Sequence, residues 1–259
     1  RVYVALNLQP FDEDLEQFPA TLKALAEIKP DALIVADPGV LALCAEHAPD
    51  LELHLSTQAS VTNAGAARFW SRHGRVARII AAREMSLAQL GAMVQAAAPC
   101  QFEAFAHGAV CIAYSGRCML STYWAGDKRD ARRGSCAAAC RFPYRFIEDR
   151  RRPGVPNPVE EDERGTYFFD ARDLCTLPIL KELVDTGVLA LKLEGRTRSA
   201  LYLGVTVDIY RHALDLIRHG QEAALIRTLP DLMAQLGEVS PRPFSSHFYT
   251  GEQDCTENY

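Results

Sequence analysis

Four cysteines lie within one 30-residue stretch of this 259-residue chain. Six residues separate Cys111 from Cys118, 17 more precede Cys136, and three separate Cys136 from Cys140. Thiols this close in sequence can surround one metal site if the intervening loops fold back. As a set, the spacing matches neither paired structural zinc ligands nor a ferredoxin-type run. It fits the irregular cage that a [4Fe–4S] cluster tolerates, and disulfides or unrelated buried cysteines are the alternatives.

Glycines and arginines surround these cysteines. Gly108, Gly116 and Gly134 predict turns, and glycine lets backbone N–H groups approach cluster sulfurs without a Cβ in the way. Four arginines flank the thiols: Arg117, Arg132, Arg133 and Arg141. A cluster with four thiolates is negatively charged, so guanidinium groups would stabilise it. A solvated surface loop is the simpler interpretation of the same arginines.

The segment 128–152 is basic although the whole chain has a formal net charge of −5. It holds nine Lys or Arg residues against three acidic ones, interleaved with Phe142, Tyr144 and Phe146. Basic side chains contact phosphates and aromatic rings stack on splayed bases, which is typical of RNA binding. The candidate RNA-binding residues are Arg129, Arg132, Arg133 and Arg145. A solvated loop closing over the cysteines is the alternative.

Strand-like and helix-like patterns alternate along the chain. The predicted strands are 2–6, 32–36, 52–56, 77–81, 101–106 and 189–193. The predicted helices are 14–27, 38–47, 63–73, 86–97, 177–185 and 199–218. This order favours parallel strands joined by crossover helices, so we expect an α/β fold of the TIM-like (β/α) barrel type. We expect one compact domain, with strand–helix units over 1–110, a cysteine-rich and basic loop region over 111–165, and a final unit and tail over 166–259.

Polar residues at the ends of the predicted strands form a candidate pocket, because the carboxyl ends of parallel strands meet at one edge. The candidate catalytic residues are Glu103, His107, Lys192 and Arg196. The candidate substrate-binding residues are Asn7, Asp37, Gln58, Glu84 and Glu194. Lys192 and Arg196 would hold a carboxylate, Arg196 through two parallel hydrogen bonds. His107 would relay protons near neutral pH.

Composition favours a cytoplasmic enzyme. The chain is 48% hydrophobic and 24% charged, and no run of about 20 apolar residues predicts a membrane span. Eight cysteines without an export signal favour reduced thiols over disulfides. The sequence begins on a predicted strand without an initiator Met, so we expect that N-terminal strands are missing from it.

The segment 103–121 reads E-x-F-x-x-G-A-V-C-x₄-G-x-C-x-L-S and resembles the motif of the U32 peptidase family at every fixed position. Five other segments resemble family blocks: 31–39, 55–58, 61–63, 82–84 and 191–196. The resemblance implies an oxygen-independent hydroxylase that carries a [4Fe–4S] cluster and acts on tRNA, ribosomal RNA or ubiquinone precursors. Segments 134–144, 161–167 and 249–259 favour the branch that hydroxylates the tRNA wobble uridine.

The resemblance therefore implies tRNA and a small anionic oxygen donor such as prephenate as partners, with a paralogous or redox protein as a further candidate. Cys111, Cys118, Cys136 and Cys140 are the expected cluster ligands, and Cys175 is the rival for the fourth position. A collagenase-like peptidase is the main alternative function, although the sequence shows no H-E-x-x-H or G-x-S-x-G motif. A hydroxylase of the ubiquinone pathway or of ribosomal RNA is also retained.

Overall fold

The computed structural model describes residues 1–251 apart from 112, 126–128, 132–133, 142–159, 163–164, 168–171, 197 and 241. Its strands are β1 (Tyr3–Leu6), β2 (Ala32–Val35), β3 (Leu53–Leu55), β4 (Arg78–Ile80), β5 (Gln101–Gly108), β6 (Glu160–Asp162), β7 (Gly165–Tyr167), β8 (Asp173–Cys175), β9 (Ala190–Leu193) and β10 (Phe244–Ser245). The main sheet has the order β1-β2-β3-β4-β5-β8-β10, and β9 also pairs with β5. Strands β6 and β7 form a separate antiparallel pair.

The helices fall between the strands of the parallel part, as the alternation predicted. They are α1 (Asp12–Leu15), α2 (Phe18–Ile28), α3 (Pro38–His47), α4 (Ala64–His73), α5 (Leu87–Ala96), α6 (Leu120–Ala125), α7 (Leu180–Asp185), α8 (Ala200–Arg218) and α9 (Glu222–Val239). Side-chain oxygens of Asn63, Ser86 and Ser199 cap α4, α5 and α8 by accepting backbone N–H groups of the first turn. In the described part of the chain, no helix is both long and apolar enough to cross a membrane.

The two faces of the sheet differ in chemistry because side chains alternate along each strand. One row across β2–β5 is apolar and at most 1% exposed: Val35, Leu55, Ile79 and Phe102. The adjacent row faces the other way and consists of Ile34, His54, Arg78 and Gln101. We call the second side the polar face, and it comprises His54, Arg78, Gln101, Glu103 and Lys192. The apolar row belongs to the hydrophobic core.

Strand β5 organises the sheet by pairing with three neighbours. It runs parallel to β4 and β9, whereas its last two residues pair antiparallel with β8. The register with β9 shifts between Phe105 and His107, so that His107 lies opposite Leu193 directly after Phe105 lies opposite Lys192. Such a bulge re-aims the side chains that follow it.

The α/β class and the mostly parallel sheet are confirmed, whereas the closed barrel is not. Among the described residues, β1 pairs only with β2 and β10 only with β8, so the sheet stays open. The predicted helix 14–27 is divided into α1 and α2, with Pro19 in the first turn of α2. Pro19 lacks the N–H that a continuous helix would need there.

Candidate active site

A buried carboxylate on the polar face lies between two cations. The Glu103 carboxylate oxygens are 3.8 Å from Arg78 Nη1 and 3.6 Å from Lys192 Nζ. Arg78 also donates hydrogen bonds of 3.0 and 3.3 Å to the side-chain oxygen of Gln101. The structure therefore brings the predicted residues Glu103 and Lys192 together, and it adds Arg78, which the sequence analysis did not select.

The aromatic ring of Phe105 lies next to Glu103 on the same face. The guanidinium carbon of Arg83 is 3.8 Å from the ring centroid, and Lys192 Nζ is 5.6 Å from it. Both distances are within the range of cation–π attraction. Three cations therefore lie in this region: Arg78, Arg83 and Lys192. The Glu103 carboxylate forms ion pairs with Arg78 and Lys192.

The cysteine segment is fixed to the carboxyl ends of the strands. The Glu84 carboxylate, after β4, accepts hydrogen bonds from the Ser115 N–H at 2.5 Å and the Ser115 hydroxyl at 2.6 Å. Arg117 Nε donates to the backbone oxygen of Gln58, after β3, at 3.3 Å. Arg196 Nη2, after β9, donates to the backbone oxygen of Gly134 at 2.5 Å. Three strand ends therefore position the turns that carry the cysteines.

Three of the four cysteines interact at this edge. Burial raises the pKa of the Cys111 thiol, and the neighbouring thiols Cys118 and Cys136 raise it further. A hydrogen bond from the backbone of Ala113 and the positive charge of Arg83 oppose that rise in the pKa of Cys111. The thiols of Cys111, Cys118 and Cys136 are thus near enough for their charges to interact, and their sharing one site stays a prediction.

Each of these three thiols accepts a backbone N–H from the residue two positions later. Ala138 N is 3.2 Å from Cys136 Sγ, and Leu120 N is 3.3 Å from Cys118 Sγ. The bond from Ala113 to Cys111 completes the pattern. Ala138 itself has a positive φ of 56°. N–H donors of this kind stabilise negative charge on sulfur and tune metal–thiolate sites.

Two predicted ligand-binding residues are engaged with the cysteine segment itself. Arg129 Nη2 donates to the backbone oxygen of Cys136 at 3.1 Å, and Arg196 donates to Gly134 as described above. Ser121 Oγ accepts from Ala137 N at 2.7 Å and donates to the backbone oxygen of Arg129. Arg129 and Arg196 are both exposed side chains. Arg132, Arg133 and Arg145 lie outside the described residues.

The other predicted binding residues have mainly structural contacts. Asp37 caps α3 by accepting the N–H groups of Gly39 at 2.8 Å and Val40 at 3.1 Å. Asn7 donates to the Ser56 hydroxyl at 3.2 Å. Glu194 accepts from the Arg196 N–H at 3.1 Å. Gln58 differs, because its side-chain oxygen is buried and has no hydrogen-bond partner.

His107 lies on the opposite side of β5 from Glu103, because the bulge after Phe105 re-aims it. Its ring packs against Tyr202 and Tyr210 of α8 and against Phe244, with centroid distances of 5.3 to 5.9 Å. Burial lowers the pKa of His107 to about 4; the charge of Asp173 opposes this shift and that of Arg198 adds to it. The imidazole is therefore neutral at pH 7, which does not favour the predicted proton relay.

A family model described as peptidase family U32 matches residues 1–258. The chain belongs to this family.

Curated relatives of this chain are named for different activities. The tRNA hydroxylation protein P of Escherichia coli (strain K12) is 35% identical over 272 residues, which cover 90% of this chain and 59% of the relative. This chain therefore spans less than two thirds of that protein.

Two further relatives carry other activities in their names. A 23S rRNA 5-hydroxycytidine synthase of Escherichia coli (strain K12) is 36% identical over 217 residues, covering 84% of this chain and 31% of the relative. A collagenase of Porphyromonas gingivalis (strain ATCC BAA-308 / W83) is 30% identical over 263 residues, covering 97% of this chain and 60% of the relative. Membership of the U32 family thus leaves both hydroxylation and proteolysis to be weighed.

The donor set of the U32 chain fits the [4Fe–4S] cluster that the resemblance implies. Cys111, Cys118 and Cys136 supply three interacting thiols, each with a backbone N–H directed at its sulfur. Arg83 adds positive charge beside Cys111. Within the described ranges, no three His, Cys, Asp or Glu side chains already have the geometry of a metal site. The fit therefore rests on the chemistry of the donors.

The two candidates for a fourth thiol have different surroundings. Cys140 is partly buried in a 3₁₀ turn, Ala139–Arg141, on the same segment as Cys136. Cys175 is buried at the end of β8, where its Sγ lies 3.6 Å from the Tyr210 hydroxyl and 3.8 Å from Met233 Sδ. Burial raises the pKa of the Cys175 thiol. The choice between them stays a prediction.

Sequence reasoning missed Arg83 and Ser115. Arg83 lies three residues after β4 ends, and its position one residue before Glu84 was the available signal. Ser115 is fully buried with a positive φ of 44° and holds the turn between Cys111 and Cys118. No sequence pattern marks a serine for that role, because its partner Glu84 is 31 residues away.

Proposed function

We propose that this U32 chain hydroxylates the wobble uridine of tRNA at C5 without O₂, taking oxygen from a small anionic metabolite such as prephenate. The observation that carries the proposal is that the thiols of Cys111, Cys118 and Cys136 interact electrostatically and that each accepts a backbone N–H at its sulfur. The relatives named for tRNA hydroxylation and 5-hydroxycytidine synthesis support an RNA substrate. Replacing C5–H by C5–OH oxidises the base by two electrons, so a hydroxylated donor would be reduced by the same two electrons.

Cys111, Cys118 and Cys136 would hold a [4Fe–4S] cluster together with Cys140. The cluster would supply the redox chemistry of the site. The cysteine segment would hold the cluster, and Glu84, Gln58 and Arg196 fix that segment to the strand ends. The three backbone N–H donors would stabilise the thiolates. The protein contribution is therefore a rigid cage at the carboxyl edge of the sheet.

The polar face would form the floor of the substrate pocket. Arg78 and Lys192 hold Glu103 in one orientation, and their positive charge also favours an anionic ligand nearby. The exposed residues Arg117, Tyr123 and Arg129 lie on the cysteine segment, where phosphate contacts and base stacking would be needed. The basic segment 128–152, mostly outside the described residues, would extend that surface.

The peptidase alternative has the relative named collagenase in its favour. Cysteine proteolysis needs an accessible thiol beside a histidine that accepts its proton. In the described part of the chain, Cys175 and His107 are cross-strand neighbours, but they are 2% and 1% exposed. A peptide could not reach them, so the structure favours the hydroxylase.

Nucleoside mass spectrometry of tRNA from a deletion strain tests this function. The strain, grown without O₂, should lack 5-hydroxyuridine at the wobble position and its derivatives. The full-length gene should restore the modification, and a copy with Cys111→Ala should not. Cys44→Ala is the matched control, since Cys44 is a buried core thiol of α3. Normal wobble hydroxylation together with lost ubiquinone or lost rRNA hydroxycytidine would move the protein to another branch of the family.

A further inference from the structure

Arg83 is a largely buried cation that forms no ion pair with a carboxylate in the part of the chain that the structure describes. Its Nε is buried and has no hydrogen-bond partner among the described residues. Its guanidinium stacks on Phe105 instead, at 3.8 Å. A guanidinium removed from water is costly unless an anion and hydrogen-bond acceptors compensate it. The fold tolerates this arrangement three residues after β4 ends.

The acidic groups near Arg83 are already engaged elsewhere. The Glu84 oxygens accept two hydrogen bonds from Ser115, and a Glu194 oxygen accepts the Arg196 N–H. The third nearby acidic group is the Cys111 thiol, which the proposed cluster would use. Glu103 is held by Arg78 and Lys192. None of these three glutamates forms an ion pair with Arg83, so the unsatisfied Nε–H is available to an additional anion.

A second cation lies close to this guanidinium. Lys192 Nζ is 5.6 Å from the Phe105 centroid and Arg83 Cζ is 3.8 Å from it, so the two cations are less than about 10 Å apart. Two positive groups at this separation suit a small dicarboxylate better than a single monovalent ion. The sequence analysis had assigned carboxylate binding to Lys192 and Arg196, but Arg196 is exposed and donates to Gly134.

We propose that Arg83 is the anchor for a small dicarboxylate ligand on the polar face, with Lys192 as the secondary contact. The ligand would lie against Phe105 and next to Cys111, and the planar guanidinium would bind one carboxylate through two hydrogen bonds. This inference rests on the proposed function, for which it names the residue that binds the anionic oxygen donor. It replaces Arg196 in that role.

Calorimetric titration of malonate into the anaerobically purified full-length protein tests this site. The wild type should bind malonate saturably. Arg83→Gln should weaken binding at least tenfold, and Arg83→Lys should weaken it less, because a lysine keeps the charge but loses the planar fork. Arg68→Gln is the matched control. Arg68 is exposed on α4 and donates to the backbone oxygen of Ala96, so malonate affinity should not change.

Iron content and melting temperature are measured on the same samples. Arg83→Lys should stay folded and keep the wild-type iron content. Unchanged malonate affinity in a folded Arg83 variant, or no binding by the wild type, would overturn the inference. Loss of iron in Arg83→Lys would also overturn it, because Arg83 would then serve the cysteine site. Inorganic phosphate is the second probe. If phosphate affinity depends on Arg83 and malonate affinity does not, the site binds a phosphate of RNA and not a dicarboxylate.

The result separates this inference from the function on which it rests. If the deletion strain retains wobble hydroxylation while malonate binding depends on Arg83, the proposed function fails and the anion site stands. If the strain loses the modification and Arg83→Gln fully restores it, the function stands and the anion site has no role in it.

Discussion

The two sides of β5 use the same kinds of residues for different purposes. On the helix-covered side, Tyr210 donates to the backbone oxygen of Ala106 at 2.8 Å and accepts from Thr176 N at 3.1 Å. Cys175 and His107 pack around that hydroxyl and are buried. On the polar face, the cations Arg83 and Lys192 lie by the Phe105 ring, and Arg83 interacts electrostatically with Cys111.

This difference teaches that residue type alone does not identify a site. Both sides carry basic groups, but the helix-covered side satisfies its central hydroxyl internally, whereas Arg83 on the polar face forms no ion pair with a described carboxylate. A buried charge that lacks an ion pair is a candidate for ligand binding. Substitutions on each side of β5 test whether the two sides are as separate as the contacts indicate.

The largest expected effect is the loss of iron when a thiol over the polar face is replaced. Cys111→Ala, Cys118→Ala or Cys136→Ala should each remove most of about four iron atoms per chain, measured with sulfide on anaerobic protein. Cys140→Ser should do the same. Cys175→Ser, on the other side of β5, should keep its iron and lose only stability, because it introduces a hydroxyl into the core.

If Cys140→Ser keeps its iron and Cys175→Ser loses it, the fourth ligand is Cys175 and not Cys140. That result would also break the comparison, since a ligand would then come from the helix-covered side. One zinc per chain without sulfide would contradict the cluster altogether.

The second effect concerns Gly108, where the chain leaves β5 for the cysteine segment. Its φ is +109°, and an added Cβ would come within 2.4 Å of the Glu194 backbone oxygen. Gly108→Ala should therefore destabilise the protein by about 4 kcal/mol, measured by urea denaturation, because the backbone must move. The iron content should fall as well.

Gly237→Ala in α9 is the matched control. A Cβ at Gly237 would have nothing within 4 Å, so this change should be neutral or stabilise by about 0.5–1 kcal/mol. Equal effects of the two substitutions would show that the junction after β5 is not constrained.

The third effect is a pH dependence from the helix-covered side. The pKa of His107 is about 4 in the folded chain and about 6.5 in the unfolded chain, so the unfolded chain binds the proton between these values. The stability that neutral His107 contributes is complete above about pH 6.5 and is lost as the pH falls towards 4. The loss is on the order of 3 kcal/mol.

Urea denaturation between pH 4 and pH 7.5 measures this dependence. His107→Gln should flatten the curve, since the titrating group is removed. His212→Gln, on the exposed side of α8, should keep the wild-type slope. A slope that survives in His107→Gln would mean that another group controls acid stability.

Several features followed from local sequence alone. The strands β1–β5 and β9 and the helices α3–α5 and α8 lie close to their predicted bounds, because alternation, helical spacing and capping residues such as Ser86 act over a few residues. The cysteine motif at 103–121 gave the family, which the match over residues 1–258 confirms. The approach of segments 111–118 and 134–140 was expected from spacing.

Tertiary structure alone decided which candidate residues share a site. The bulge after Phe105 separates His107 from Glu103, and no alternation rule predicts a bulge from these residues. Arg196 and Arg129 were expected to contact ligands, but they donate to backbone oxygens of the cysteine segment. The lack of an ion pair between Arg83 and a described carboxylate also depends on the whole fold, because it is a property of every group packed around the side chain. Sequence fixes the chemistry of each residue, whereas long-range packing fixes its partners.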